Sequence, residues 1–255
     1  FGFSRGAYTV RALCGLINNC GILKRVDANR IAEAWDIYKS ASKKNHPDGD
    51  DAVKFRSDHC HASRKVHFVG VWDTVGALRI PFSFMGLFES KDEFYDTKMG
   101  SNVSFARHAL AIDEQREDFQ PTVWTSRPGV DLKQVWFSGV HADIGGSYKP
   151  DKDSRFVAAD TPLAWMLDEA KSAGLKLEPH IREALAVSDT AKLHKSRGHV
   201  YRLKRPLHRH LEVDNKPTKI HPSVKARYMA DDSYRPPRLK SLVEDKGWDE
   251  LDVGS

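Results

Sequence analysis

Residues 1–8 read FGFSRGAY, and Gly2, Ser4 and Gly6 within them match the pattern G-x-S-x-G. The residues that follow carry apolar side chains at the spacing of an amphipathic helix. In a nucleophile elbow, a serine occupies the sharp turn between a strand and a helix, and small residues on either side let the backbones pass closely. This stretch therefore predicts a nucleophile elbow, with its serine hydroxyl exposed at the start of the helix, although too few residues precede it to form the strand.

Later stretches alternate between strand and helix patterns. The runs KVHFVGVWD (65–73) and KQVWFSGV (133–140) predict buried strands, and capping residues frame a helix over 159–174. We predict a further helix over 101–115 and interpret the polar stretch 40–62 as a surface excursion. Such alternation is typical of an α/β fold in which helices cover both faces of a parallel sheet.

The chain has 255 residues, enough for one large domain. We expect residues 1–187 to form the α/β core. Residues 188–255 turn basic and contain prolines, so we expect them to form a C-terminal extension that wraps this core, with a strand at HVYRLK (199–204).

Composition excludes several classes of protein. The net charge is +5, but the basic residues are scattered, so we expect no nucleic-acid partner. No stretch approaches the roughly 20 apolar residues of a membrane-spanning helix. Cys14, Cys20 and Cys60 are too few for a disulfide framework, which favours reduced thiols and a cytoplasmic location. The HCH triplet at 59–61 lacks a second ligand cluster, so we expect no metal and no cofactor.

A serine hydroxyl becomes a nucleophile only beside a base that a carboxylate orients. Asp73 and His141 each follow a predicted strand, and the carboxyl ends of parallel strands meet at one edge of a sheet. Two alternatives stay open, because Asp143 could replace Asp73 and His221, later in the chain, could replace His141. The elbow geometry also predicts that the Arg5 backbone N–H and the start of the helix stabilise an oxyanion. We interpret His108, His208 and His210 as surface residues.

Four ordered blocks together resemble one family: GFSRGAYTVRALCGLI, FVGVWDTVGAL, HALAIDEQREDFQPTVW and QVWFSGVHADIGGSY. It is the α/β-hydrolase family that includes the type VI secretion phospholipase effectors. The resemblance runs from Gly2 to about Tyr148 and resumes in short stretches to residue 239. It implies a catalytic triad of Ser4, Asp73 and His141, and an ester substrate, either a small molecule or a lipid. A phospholipid substrate would bring the protein into peripheral contact with a membrane.

Members of this family resemble one another upstream of the elbow as well, where a strand and a polar loop would supply a second oxyanion donor. This chain starts at the elbow, so we expect N-terminal strands to be missing from its sheet, including the central strand that leads into Ser4. We also expect the 255 residues alone to be inactive or poorly folded, although the full-length protein would be an enzyme.

Two further questions stay open at this level. The aromatic stretch Phe82, Phe84, Phe88, Phe94 and Tyr95 could line an acyl-chain pocket or simply pack in the core. A carboxylic ester hydrolase is the function we favour. The alternatives are a thioesterase or peptidase on the same triad and a non-catalytic interaction protein on a degenerate hydrolase scaffold.

Overall fold

The computed structural model of the protein describes residues 1–75, 99–150, 154–198, 205–211, 218–251 and 253–254. In this part of the chain, five parallel strands form one sheet, and their order in the sheet is their order in the sequence. The strands are β1 (Gly2–Phe3), β2 (Val66–Trp72), β3 (Val103–Ala111), β4 (Asp131–Phe137) and β5 (Thr218–Ile220).

Helices connect and cover these strands. They are α1 (Arg5–Cys20), α2 (Ile31–Lys39), α3 (Asp50–His59), α4 (His141–Gly145), α5 (Asp160–Ser172), α6 (Pro179–Glu183), α7 (Pro222–Ala230) and α8 (Pro237–Glu250). The helix predicted over 159–174 is confirmed as α5. Gly174 follows it with a φ of 98°, a left-handed conformation that glycine adopts without strain.

The strand register assigns the buried side chains to two faces. Val69 pairs with Ala106 and Val71 with His108, so these four side chains share one face. Helices α1, α7 and α8 pack on that face. The alternate residues, such as Ala109 and Phe137, pack against α4 and α5 on the other face. The predicted α/β fold with helices on both faces of a parallel sheet is confirmed.

The helix predicted over 101–115 is wrong, because this segment forms the central strand β3. A strand that is buried on both faces is apolar at nearly every position, so its pattern resembles that of a buried helix. His108 lies on this strand and is fully buried, so its interpretation as a surface residue is also wrong. Burial lowers the pKa of His108 to about 3, and its Nε2 accepts a hydrogen bond from the Thr74 backbone N–H at 3.2 Å.

The stretch 40–62 is more than a surface excursion, because it contains helix α3. Phe55 and Cys60 from this stretch pack with Cys20 and Tyr38, which belong to α1 and α2. Most residues of the stretch are polar because a helix on the outside of a sheet buries only a narrow stripe of its surface.

Residues beyond 187 also contribute to the core. Strand β5 pairs with β4, and Ile220 and Val224 pack with Leu110 and Trp136. The division of the chain at residue 187 stays a prediction, and the strand predicted at 199–204 lies outside the described residues. None of the helices in the described part of the chain has the length and apolarity that crossing a bilayer requires.

Candidate active site

Ser4 occupies a strained turn at the end of β1. Its φ of 57° and ψ of −120° are unusual for a residue with a side chain, and helix α1 begins at the next residue. The Ser4 backbone N–H donates to the Trp72 carbonyl at 3.1 Å, so the turn is fastened to the end of the neighbouring strand. The hydroxyl makes no capping hydrogen bond to α1. This geometry has the features of the predicted elbow, a sharp turn whose hydroxyl is unused by the helix. The expectation that the strand leading into Ser4 is missing is wrong, because Gly2 and Phe3 pair with β2 as the short strand β1.

The two glycines of the motif differ in their surroundings. A Cβ atom on Gly2 would lie 2.4 Å from the Gly6 carbonyl oxygen, a distance that real Cβ atoms do not show. A Cβ atom on Gly6 would have nothing within 4 Å apart from its own helix backbone and its neighbours in the chain. Close packing therefore requires a small residue at position 2 but not at position 6, which corrects the symmetric role expected from the motif.

Asp73 directly follows strand β2 and has a left-handed conformation, with a φ of 41°. It is fully buried, and its Oδ1 accepts the Ala111 backbone N–H at 3.0 Å. The Asp73 backbone N–H donates to the Ala109 carbonyl at 2.8 Å, so both backbone and side chain are tied to β3. A carboxylate held in this way has a defined position at the edge of the sheet where β1 also ends.

His141 follows β4 and is the first residue of the short helix α4. Its Nδ1 lies 2.6 Å from Oδ2 of Asp73, and both side chains are almost completely buried. Strand β3 lies between the strands that carry them and presents the small side chains Ala109 and Ala111 to α4. A carboxylate can only accept in this contact, so Nδ1 is the donor, and in a neutral imidazole the lone pair is then on Nε2.

Phe3, the residue before Ser4, packs against the imidazole of this pair. The ring of Phe3 lies with its centroid 4.5 Å from that of His141, and a Cβ atom on Gly145 of α4 would overlap the Phe3 ring. In the described part of the chain no hydrogen bond joins the Ser4 hydroxyl to the imidazole. Contacts between nucleophile and base are often long in resting enzymes and tighten when substrate binds.

A buried arginine balances the charge of Asp73. Arg209 is 2% exposed and donates from both terminal nitrogens to the Asp73 carboxylate, at 2.7 and 3.0 Å. Burial alone would raise the pKa of the Asp73 carboxyl. The charge of Arg209 and the hydrogen bond from His141 outweigh burial and lower that pKa below its usual range.

Further residues hold the backbone and the ring of His141. The His141 backbone N–H donates to Glu114 at 3.2 Å, and Arg116 pairs with the same carboxylate. The Phe119 ring lies edge-on to the imidazole with a centroid distance of 5.0 Å, and the Arg116 guanidinium lies 3.4 Å from the Phe119 centroid. These contacts restrict the rotation of the imidazole.

The alternative residues are placed elsewhere. Asp143 accepts from Nδ1 of His194 at 2.7 Å, so it forms a second carboxylate–imidazole pair. His221 stacks on Phe137 and its Nδ1 lies 2.7 Å from the Ser223 hydroxyl. Burial lowers the pKa of His221 to about 4, and the hydrogen bonds described for its ring are to Ser223 alone. The structure therefore brings Asp73 together with His141, and neither alternative joins that pair.

Two further sequence expectations concern metals and the aromatic stretch. Among the described residues, no cluster of three or more His, Cys, Asp or Glu side chains could hold a metal ion. His59 of the HCH triplet lies 2.9 Å from Asp27 instead. Residues 82–95, which contain the aromatic stretch, lie outside the described residues.

Sequence reasoning missed Arg209, Glu114 and Phe119. Glu114 and Phe119 lie in the block HALAIDEQREDFQPTVW (108–124), which carried part of the family resemblance and was a usable signal. Arg209 lies in an ordinary basic stretch, between two histidines, and no sequence pattern marks a buried arginine. Its role depends on a contact with a residue 136 positions earlier.

Comparison with known families matches residues 1–169, more than half of the chain, to the family described as "T6SS, Phospholipase effector Tle1-like, catalytic domain". The chain belongs to this Tle1-like family. The resemblance identified from the four sequence blocks is thereby confirmed.

Individual relatives are more distant. An uncharacterized protein of Saccharomyces cerevisiae is 29% identical over 135 residues, which cover 50% of this chain and 18% of that protein. A crystal structure of an uncharacterized Pseudomonas aeruginosa protein aligns with a TM-score of 0.44 and 20% identity, covering 74% of this chain and 26% of that one. The structure of the Tle1 effector bound to the VgrG spike of the type VI secretion system aligns with a TM-score of 0.29 and 21% identity, covering 59% of this chain and 24% of that one. The Tle1-like chain thus spans less than a third of the length of each of these proteins.

Proposed function

We propose that this Tle1-like chain carries the active site of a serine hydrolase that cleaves carboxylic esters, with Ser4 as nucleophile, His141 as base and Asp73 as orienting carboxylate. The observation that carries the proposal is the 2.6 Å contact between buried His141 and Asp73 at the sheet edge where the Ser4 turn ends β1. A carboxylate that holds Nδ1 of an imidazole near the serine of an elbow supplies the parts that acyl transfer requires.

In the first step, Nε2 of His141 accepts the proton of the Ser4 hydroxyl while Oγ attacks the ester carbonyl. The new Oγ–C bond forms a tetrahedral intermediate, whose oxyanion is stabilised by the Arg5 backbone N–H at the start of α1. The intermediate collapses as the C–O bond to the alcohol breaks and His141 returns the proton to the leaving oxygen. Asp73 stabilises the imidazolium that forms between these events.

In the second step, water replaces the alcohol. His141 accepts a proton from the water molecule as its oxygen attacks the acyl carbon, and the Ser4 Oγ–C bond then breaks. The proton passes from His141 back to Ser4, so the products are a carboxylic acid and the restored enzyme. Every proton transfer in this scheme uses the chain's own residues.

Phospholipid acyl esters are the substrate class that we propose. The support is membership of a family whose description names phospholipase effectors. A lipid substrate requires the site to meet a membrane surface, so we also propose a peripheral contact with lipid. Release of fatty acid from vesicles of phosphatidylcholine and phosphatidylglycerol, compared with release of alcohol from a soluble short-chain ester, measures both parts of this proposal.

The test of the nucleophile is labelling of the full-length protein by a fluorophosphonate probe. Ser4→Ala should abolish labelling and ester hydrolysis. Ser223→Ala is the matched control, because Ser223 also lies beside a histidine and should keep both activities. Labelling that survives Ser4→Ala would refute the assignment of the nucleophile.

The test of the base compares two histidines. His141→Asn should lower the turnover number by several orders of magnitude, and His221→Asn should leave it near the wild-type value. The reverse result would make His221 the base. A panel of ester, thioester and peptide substrates distinguishes an esterase from a thioesterase or peptidase, and a folded wild-type protein that reacts with neither probe nor panel would be a non-catalytic interaction protein.

A further inference from the structure

The Arg209 guanidinium forms a bidentate contact with the Asp73 carboxylate in the interior of the protein. The Asp73 oxygens accept four hydrogen bonds, two of which come from one guanidinium. Oδ1 accepts from Arg209 and the Ala111 N–H, and Oδ2 accepts from Arg209 and His141. The planar guanidinium matches both oxygens of a carboxylate at once, so this contact fixes the plane of the carboxylate as well as its position.

The same guanidinium also holds the surroundings of His141. Its Nη1 donates to the Ala111 carbonyl at 2.8 Å, and its Nη2 donates to the Phe119 carbonyl. Phe119 packs its ring edge-on against the imidazole. Arg209 therefore connects the carboxylate, the end of β3 and the segment that restricts the His141 ring.

The charge of Arg209 has a separate consequence. A buried carboxylate with an imidazole as its sole partner would favour the protonated imidazolium, because the two opposite charges would stabilise each other. A protonated imidazole cannot accept the proton of a serine. With Arg209 in place, the imidazole faces a carboxylate that is already neutralised by a buried positive charge.

We propose that Arg209 is a positioning residue of the serine-hydrolase site, an inference that rests on the proposed function. It holds the plane of the Asp73 carboxylate, and its positive charge offsets the negative charge that faces the His141 imidazole. Three other carboxylates lie close to His141 among the described residues. Glu114 pairs with Arg116 and Asp143 with His194, while Asp113 accepts from the Gly139 N–H and the Tyr234 hydroxyl.

Two substitutions separate position from charge. Arg209→Lys keeps a positive charge but loses the planar fork, so we expect turnover to fall about tenfold while the pH profile stays near that of the wild type. Arg209→Gln removes the charge. We therefore expect the acid limb of the pH profile of kcat/KM to shift to higher pH by about one unit. Activity at pH 7 should then fall further than in the lysine variant.

The experiment measures the pH dependence of fluorophosphonate labelling in the full-length protein, together with an NMR titration of the His141 imidazole in protein labelled at histidine. Arg107→Gln is the matched control. Arg107 is also a buried arginine, 3% exposed, but it pairs with Asp131 and Glu169 away from the site. Its loss should lower the melting temperature without moving the pH profile.

Several results would overturn the proposal. One is an Arg209→Gln variant that folds and whose His141 titration and acid limb match the wild type. If the Arg209→Gln variant does not fold, undiminished turnover in the Arg209→Lys variant would also overturn the proposal. A wild-type protein that is folded but unlabelled would instead refute the proposed function, and the NMR titration would still decide the electrostatic role of Arg209.

Discussion

His141 and Asp73 stand 68 residues apart in the chain, yet Nδ1 of one lies 2.6 Å from Oδ2 of the other in the interior of the protein. Strand β3 lies between the strands that carry them, and the pair meets at the end of that strand. The contact orders both the imidazole and the carboxylate.

Replacing Asp73 by Asn should affect both activity and stability. The amide cannot stabilise an imidazolium and favours the wrong tautomer of His141, so we expect kcat to fall by about 10⁴-fold. Arg209 would lose its charged partner in the interior, which should lower the free energy of unfolding by about 3–5 kcal/mol. Ester hydrolysis and urea denaturation measure these effects. Asp131→Asn is the control, because Asp131 is half exposed and pairs with an arginine away from the site, so kcat should not change.

The two glycines around Ser4 should respond differently to alanine. Gly2→Ala places a methyl group against the Gly6 backbone, so we expect a loss of about 1–3 kcal/mol in stability and a displaced Ser4. Gly6→Ala meets open space within helix α1 and should be neutral or stabilising by up to about 1 kcal/mol. Denaturation curves of the two variants decide this, and equal losses in both would contradict the packing described around the elbow.

Gly145 should be essential for activity, because the Phe3 ring occupies the space where a side chain at this position would lie. A Cβ atom there would lie 2.1 Å from a ring carbon of Phe3, and that ring packs on His141 and precedes Ser4 in the chain. We expect Gly145→Ala to lower kcat at least tenfold, because small displacements between nucleophile and base are costly. Gly198→Ala, where a methyl group would meet nothing within 4 Å, is the control and should keep full activity. An active Gly145→Ala enzyme would show that the Phe3 ring can move without displacing the site.

Stability should depend on pH through Asp113. Burial raises the pKa of the Asp113 carboxyl to about 6, although the Gly139 N–H and the Tyr234 hydroxyl donate to it. An aspartate in the unfolded chain has a pKa of about 3.9. The folded state therefore binds more protons between about pH 4 and 6, so the free energy of unfolding should fall as the pH rises through this window.

Asp113→Asn tests this dependence, since the amide oxygen can accept both hydrogen bonds without ionising. Urea denaturation measures the free energy of unfolding at pH 4.5 and at pH 7.5. We expect this free energy to decrease between the two pH values by about 1–2 kcal/mol less in the variant than in the wild type. The contribution of Asp73 to the pH dependence of stability has the opposite sign. Because folding lowers the pKa of Asp73, its contribution is lost only as the pH falls below about 4. An unchanged decrease in the variant would show that another group causes it.

Local sequence was sufficient for the parts of the molecule that depend on local geometry. The sharp turn at Ser4 follows from Gly2, because only a residue without a side chain can pass the first turn of α1 at this distance. Strand β2, strand β4 and helix α5 follow from apolar runs and boundary residues, and their termini place Asp73 and His141 at one edge of a parallel sheet. The family resemblance followed from the same blocks, and the family match over residues 1–169 contains all four of them.

Tertiary structure alone decided the rest, because each remaining feature is a contact between residues far apart in the chain. The pattern of β3 fits a helix or a strand equally well until pairing with β2 and β4 buries both of its faces. The choice of His141 over His221 as the partner of Asp73 depends on which imidazole the fold carries to that carboxylate. Arg209 is an ordinary arginine in the sequence, and it contacts the candidate site because folding places it in the interior, beside the buried Asp73 carboxylate.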